Sequence, residues 1–235
     1  MKYLNISIFS LLLSFRCPSQ VLDQVVPNLQ VYPPAHFREM TSVRTSKLVF
    51  TCSLDSISIK LRLKNRDTLA FIISTHGNNQ IHEIPYKGTR PFYPLAYLID
   101  IDGNGYKDII VVCSECESEI VIYAFLRYPD NRLVSYELCS GIGGLELFRD
   151  FDKDGQYEFA CIKYIAEWFY YGINIYKFTP SGLINISDTI QPFPLAFINI
   201  NKSDEQTKYK YIEHPPENVK NMLHFENADA RKRDY

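Results

Sequence analysis

Glycine is scarce in this chain, at 10 of 235 residues, and that excludes a collagen-like repeat. Charge of one sign is not in excess: 25 Lys+Arg against 27 Asp+Glu leave a formal net charge of -2. Overall charge therefore gives no argument for nucleic acid or an anionic membrane as a partner. No apolar run approaches the roughly 18 residues of a membrane helix. The chain has no GxSxG, P-loop, HExxH or GxGxxG, and GIGG at 141–144 is too short a glycine signal for phosphate binding. His36, His76, His82, His214 and His224 are scattered singly, so no catalytic base or metal cluster is announced by histidine. Before about residue 214, no stretch of 12 or more residues keeps a 3.6-residue apolar period, which argues against helices.

What is present points to β structure. Hydrophobic residues make up 46% of the chain and charged residues 22%, the balance of a folded protein. Seventeen Tyr and 15 Phe, with many Ile and Val, favour strands. A length of 235 residues suits one large domain or two small ones. Short apolar runs such as LVFTCSL, SISIKLRL and TLAFIIS alternate with turn signals such as THGNNQ, YPDNR and TPSG. The organisation expected is a signal peptide over 1–19, an N-terminal linker over 20–46, a β-repeat domain over 47–212 and a charged tail over 213–235.

The leader rests on Lys2, the short apolar run Ile6 to Phe15, and small residues near Ser19. Cys17 would be the lipidated residue of a lipoprotein leader, but Phe15 and Arg16 fit poorly before such a cysteine. Export would leave Cys52, Cys113, Cys116, Cys139 and Cys161, an odd number, with at least one oxidised pair expected among them. The CSEC spacing at 113–116 has no second CxxC and no nearby His cluster, so a structural zinc site is short of ligands. A redox site would want a helix after the first Cys, whereas DIIVVCSEC reads as a strand entering a turn.

A repeat lies inside the chain. LAYLIDIDGNGYKDIIVV at 95–112 aligns with LELFRDFDKDGQYEFACI at 145–162, so that Asp100 meets Asp150. An apolar strand follows each copy: EIVIYAFL at 119–126 and GINIYKF at 172–178. PLAFININKSDE at 194–205 echoes PLAYLIDIDGNG more weakly. The expected fold is all-β, with repeated antiparallel units forming a partial or small β-propeller; a β-sandwich is the alternative.

The repeat carries two nine-residue acidic loops. Loop one, DIDGNGYKD, places Asp100, Asp102, Asn104 and Asp108 at positions 1, 3, 5 and 9. Loop two, DFDKDGQYE, places Asp150, Asp152, Asp154 and Glu158 there. Position 6 is Gly105 or Gly155, and Tyr106 or Gln156 at position 7 would offer a backbone carbonyl. Calcium takes six to eight oxygens, and alternate side chains on a tight loop can surround it. Four carboxylates gathered in loop two would each repel a neighbour by about 3 kcal/mol at about 5 Å and an effective dielectric near 20. A cation relieves that repulsion. Magnesium fits less well, since it prefers few carboxylates and keeps its waters. An EF-hand is excluded because position 12 is Val111 or Cys161 instead of a bidentate Glu.

The pattern DxDxDGxxD/E followed by an apolar strand resembles the FG-GAP/VCBS repeats of calcium-binding β-propellers, over about 94–178. The resemblance implies Ca2+ as the cofactor, held by the two loops. The weaker copy has Asn199, Asn201, Ser203 and Thr207 where ligands should lie, so it implies no third site. In size and layout the chain is also similar to small bacterial envelope proteins of VCBS-like fold, some of which inhibit lysozyme-type effectors. These likenesses imply a secreted or periplasmic, non-enzymatic module that binds another protein, as an inhibitor, immunity or adhesion protein. Trp168, Tyr170 and Tyr171 follow loop two, and such residue types are enriched at interface hot spots. Glu167 beside that aromatic run supports the alternative, a carbohydrate-binding or glycan-active protein with structural calcium. No nucleic acid and no transmembrane segment are expected.

Overall fold

The computed structural model describes residues 37–46, 49–65, 68–75, 78–85, 94–116, 119–138, 145–165, 170–191, 193–201, 207–212, 214, 216–219 and 230–233. Within them the chain is all-β, in three antiparallel sheets, none of them closed. The few helical residues are short turns at Leu145–Leu147, Ser187–Thr189 and 217–219. No described helix is long and apolar enough to cross a membrane. The expected leader at 1–19 lies outside the described residues.

The first sheet is a meander in chain order: β2 (Thr41–Ser46), β3 (Val49–Leu54), β4 (Ile57–Asn65), β5 (Thr68–Thr75) and β6 (Asn78–Pro85). Alternation in β4 sends Ile57, Ile59 and Leu61 inward and leaves Lys60 and Arg62 outward or part-exposed. The second sheet has at its centre another meander: β7 (Leu95–Ile99), β8 (Asp108–Cys116), β9 (Glu119–Arg127) and β10 (Leu133–Leu138). Its edges are β1 (Arg38–Glu39) beside β7 and β17 (Ala230–Arg233) beside β10. The third sheet runs β11 (Phe148–Arg149), β12 (Glu158–Ile165), β13 (Tyr170–Thr179), β15 (Leu195–Asn201) and β16 (Thr207–Tyr211), with β14 (Gly182–Asn185) pairing β13.

The second sheet is buried on both faces, and its sequence shows why. Tyr123 and Phe125 on β9 join Ile109, Val111 and Cys113 on β8 in one apolar core, against Ile59, Leu61, Phe71 and Ile73 of the first sheet. The alternate residues Ile110, Ile122, Ala124 and Leu126 join the other core, with Phe148, Phe159, Ile173 and Ile175 of the third sheet. A strand buried on both faces reads as a continuous apolar run instead of an alternating one, which accounts for DIIVVC and VIYAFL.

Three features add to the sequence reading. Among the described residues, strand structure starts at Arg38, inside the segment expected as linker, where Met40 is buried and its amide donates to the Ala96 carbonyl. Strand structure also reappears within the expected tail, where β17 pairs β10 through Ser135↔Arg233 to Leu138↔Ala230. Finally, Cys52, Cys113 and Cys161 are buried, each serving as a small apolar residue in a core. Cys17, Cys139 and the side chain of Cys116 lie outside the described residues.

Candidate metal centre

Both acidic loops sit at the same place in their hairpins. Loop one joins β7 to β8, and loop two joins β11 to β12. The aligned repeat therefore folds as two equivalent hairpins, one in the second sheet and one in the third.

Their internal hydrogen bonds match position by position. The position 6 amide donates to position 1: Gly105 N to Asp100 Oδ2 at 2.9 Å, and Gly155 N to Asp150 Oδ2 at 3.1 Å. Position 5 donates to position 3: Asn104 N to Asp102 Oδ1 and Asp154 N to Asp152 Oδ1, both at 3.2 Å. Position 7 donates to position 5: Tyr106 N to Asn104 Oδ1 at 2.8 Å, and Gln156 N to Asp154 Oδ1 at 2.9 Å. Position 2 donates to position 9: Ile101 N to Asp108 Oδ2 at 2.9 Å, and Phe151 N to Glu158 Oε2 at 2.7 Å. Backbone conformation matches too. Position 6 lies at φ 83° in Gly105 and 88° in Gly155, a left-handed turn that glycine adopts without a Cβ penalty.

This frame turns carboxylates toward one point in each loop. Asp100, Asp102 and Asp108 offer oxygens all within 4.8 Å of one another, and so do Asp150, Asp152 and Glu158. Oδ1 of position 1, in both Asp100 and Asp150, is buried with no hydrogen-bond partner. Such an atom costs free energy unless a ligand satisfies it. Burial pushes the Asp108 carboxyl up to about 8, against hydrogen bonds from the Arg127 and Ile101 amides that act the other way. Burial likewise pushes Glu158 up to about 7, and it raises Asp102. Ionising all three groups of either cluster is thus unfavourable without added positive charge. The residues present fit a hard, oxygen-preferring divalent cation.

The loops differ in what faces them. In loop two, Lys177 of β13 stands opposite Glu158 in the strand register. Its Nζ lies 2.5 Å from Asp152 Oδ2 and 3.4 Å from Glu158 Oε1, and it donates to Asp154 Oδ2. Burial acts to lower the ammonium, but hydrogen bonds to Asp152 and Asp154 outweigh it and the net shift is upward. In loop one the register that pairs Ile109 with Phe125 places Leu126 across from Asp108. Among the described residues, no lysine or arginine forms an ion pair with Asp100, Asp102 or Asp108. Asn104 Nδ2 instead donates to Asp102 Oδ2 and to the Arg127 carbonyl, while the Arg127 guanidinium turns to Asn131 and over the Tyr106 ring. Sequence reasoning missed Lys177, which sits 19 residues beyond loop two and becomes its neighbour only through strand pairing.

Of the aromatic residues expected to form a binding surface, Tyr171 lies in a core. Tyr171 is buried and stacks on Phe197, with ring centroids 4.9 Å apart and planes at 8°. It is a core residue, because the β13–β15 register sets Tyr171 directly opposite Phe197. Tyr170 is half-buried against Ala196 and Val219. Trp168 and Glu167 lie outside the described residues. The weaker third copy continues the third sheet as β15 and β16, where β15 pairs β13, and part of its loop lies outside the described residues.

Comparisons with protein-family models, curated proteins and solved structures return no match.

Proposed function

We propose that this chain is a secreted or periplasmic, calcium-stabilised and non-enzymatic β scaffold that binds another protein. The observation that carries the calcium reading is the shared loop frame. Two nine-residue loops with the same hydrogen bonds converge three carboxylates each, and each holds a buried, unpartnered Oδ1 at position 1. Loop one is the stronger candidate because its charge has no ion-pair partner among the described residues. Asp100, Asp102 and Asp108 would supply carboxylate oxygens, Asn104 its amide oxygen and Tyr106 its backbone carbonyl, a donor set suited to Ca2+. The ion would offset the mutual repulsion of the carboxylates and fasten β7 to β8.

The consecutive sheets, joined face to face through two apolar cores, support a reading as blades of a partial propeller of FG-GAP/VCBS type. A binding role, as inhibitor, immunity or adhesion protein, is supported by the sequence, whose only dense polar constellations are the two loops. Carboxylates engaged with calcium are held ionised and make poor general acids.

Thermal melting of the purified chain in millimolar calcium, in magnesium and in chelator tests the calcium reading. Calcium should raise the melting temperature over chelator and exceed magnesium. Identical melting curves in all three would overturn it. Turnover of a glycan or peptide substrate, abolished by one substitution outside the loops, would overturn the non-enzymatic reading.

A further inference from the structure

The two loops share one frame, yet opposite position 9 one has Lys177 and the other Leu126. Directly opposed residues of an antiparallel pair project from the same face of the sheet, so Lys177 is delivered to the carboxylate side of loop two. Its side chain is only 16% exposed, and its ammonium reaches Asp152, Asp154 and Glu158. Those residues hold positions 3, 5 and 9, three of the four side-chain ligands expected around a metal ion. An ammonium is a compact point charge; here it donates to Asp152 and Asp154 and lies within ion-pair distance of Glu158. Glu158 is fully buried, and its Oε1, with no hydrogen-bond partner, faces Lys177 Nζ at 3.4 Å. Leu126, by contrast, is buried in the apolar core and brings no charge to loop one.

We infer that Lys177 takes the cation's place in loop two, so that the protein holds one divalent cation, at loop one, and loop two becomes a metal site only when Lys177 is removed. The inference rests on the calcium reading of loop one. Being part of the chain, the ammonium competes at a high effective concentration, and a free ion must displace it from three carboxylates at once. Lys177 thus sets the number of ions bound and tells two loops of the same frame apart.

Calcium titration calorimetry on the full chain tests this with four proteins: wild type, Lys177→Gln, Asp102→Asn, and the Lys177→Gln/Asp102→Asn double variant. Wild type should bind about one ion, Lys177→Gln about two, Asp102→Asn none, and the double variant about one. Two ions in wild type, with one surviving in Asp102→Asn, would overturn the inference and leave the calcium reading standing. One ion in both wild type and Lys177→Gln would do the same. No binding by wild type but one ion in Lys177→Gln would overturn the reading of loop one while supporting Lys177 as the counter-ion. No binding in any of the four would overturn both. If Lys177→Gln does not fold in chelator, Asp102→Asn decides alone, since residual calcium binding there would show that Lys177 does not exclude the ion. Melting adds a second readout. Lys177→Gln should melt lower than wild type in chelator and recover in calcium, and a loss that calcium does not reverse would mark Lys177 as merely structural.

Discussion

Asp102→Asn should have opposite effects on stability in chelator and in calcium. Asp102 is 3% exposed, and one of its oxygens lies within 4.8 Å of an oxygen of Asp100 and of one of Asp108. At that separation and an effective dielectric near 20, each ionised pair repels by about 3 kcal/mol. Asp108 ionises only as the pH passes about 8, so the full repulsion is present about one unit above that value. The substitution removes the charge at the cost of one of the two hydrogen bonds from Asn104, about 1 kcal/mol. Crediting only one relieved pair leaves a net gain of about 2 kcal/mol in chelator, a rise of about 4–8 °C in melting temperature for a domain of this size. In calcium at about a thousand times Kd, wild type gains about 4 kcal/mol that the variant does not. The order then reverses, with the variant melting about 4–8 °C below wild type. Scanning calorimetry at that pH, in chelator and in excess calcium, reads both signs. A variant destabilised equally in the two conditions would refute the reasoning and make Asp102 an ordinary structural residue.

Other outcomes follow from the same structure. His82 is buried against Phe125 at 5.3 Å between ring centroids, and burial lowers its pKa. The unfolded chain then takes up a proton that the folded chain resists, so stability is present above about pH 6.5 and is lost as the pH falls below it. The urea midpoint of wild type should fall relative to that of His82→Leu as the pH drops below about 6.5, and a pH-independent difference would refute this. Tyr171→Ala should cost about 3–5 kcal/mol in urea denaturation, because the stacked ring leaves a cavity; a surface-like loss below about 0.5 kcal/mol would contradict its burial. Gly105→Ala meets nothing within 4 Å and should cost only the left-handed strain of about 1–2 kcal/mol. Gly182→Ala adds a Cβ 2.9 Å from Tyr136 Oη at φ 131° and should cost more; equal losses would contradict the crowding. Cys52, Cys113 and Cys161 should resist a thiol reagent in the native protein and react in denaturant, as read by peptide mass mapping; a disulfide linking any of them would contradict the fold.

The strands were legible because their signals are local. LVFTCSL, SISIKLRL and TLAFIIS correspond to β3, β4 and β5, and the offset repeat becomes two equivalent hairpins. The gathering of carboxylates in each loop was legible for the same reason, since every frame hydrogen bond spans seven residues or fewer. What the sequence hid is set by pairing between distant segments. Lys177 reaches the loop two carboxylates only through the Glu158↔Lys177 register, and the equivalent register sets the uncharged Leu126 across from Asp108. Tyr171 read as a surface aromatic because the run around it is all aromatic, and only the β13–β15 register reveals Phe197 beneath it. The strand pairing of 230–233 was hidden by its charge, since Arg231, Lys232 and Arg233 give no apolar strand signal and the pairing with β10 spans about 95 residues.

A crystal structure of the full chain grown in excess calcium, with anomalous scattering measured to identify the ion, tests the central claim most directly. The account predicts one calcium peak, in loop one, at about 2.3–2.6 Å from oxygens of Asp100, Asp102 and Asp108, with Lys177 still among Asp152, Asp154 and Glu158. An empty loop one at saturating calcium, or a peak only in loop two with Lys177 swung away, would contradict it.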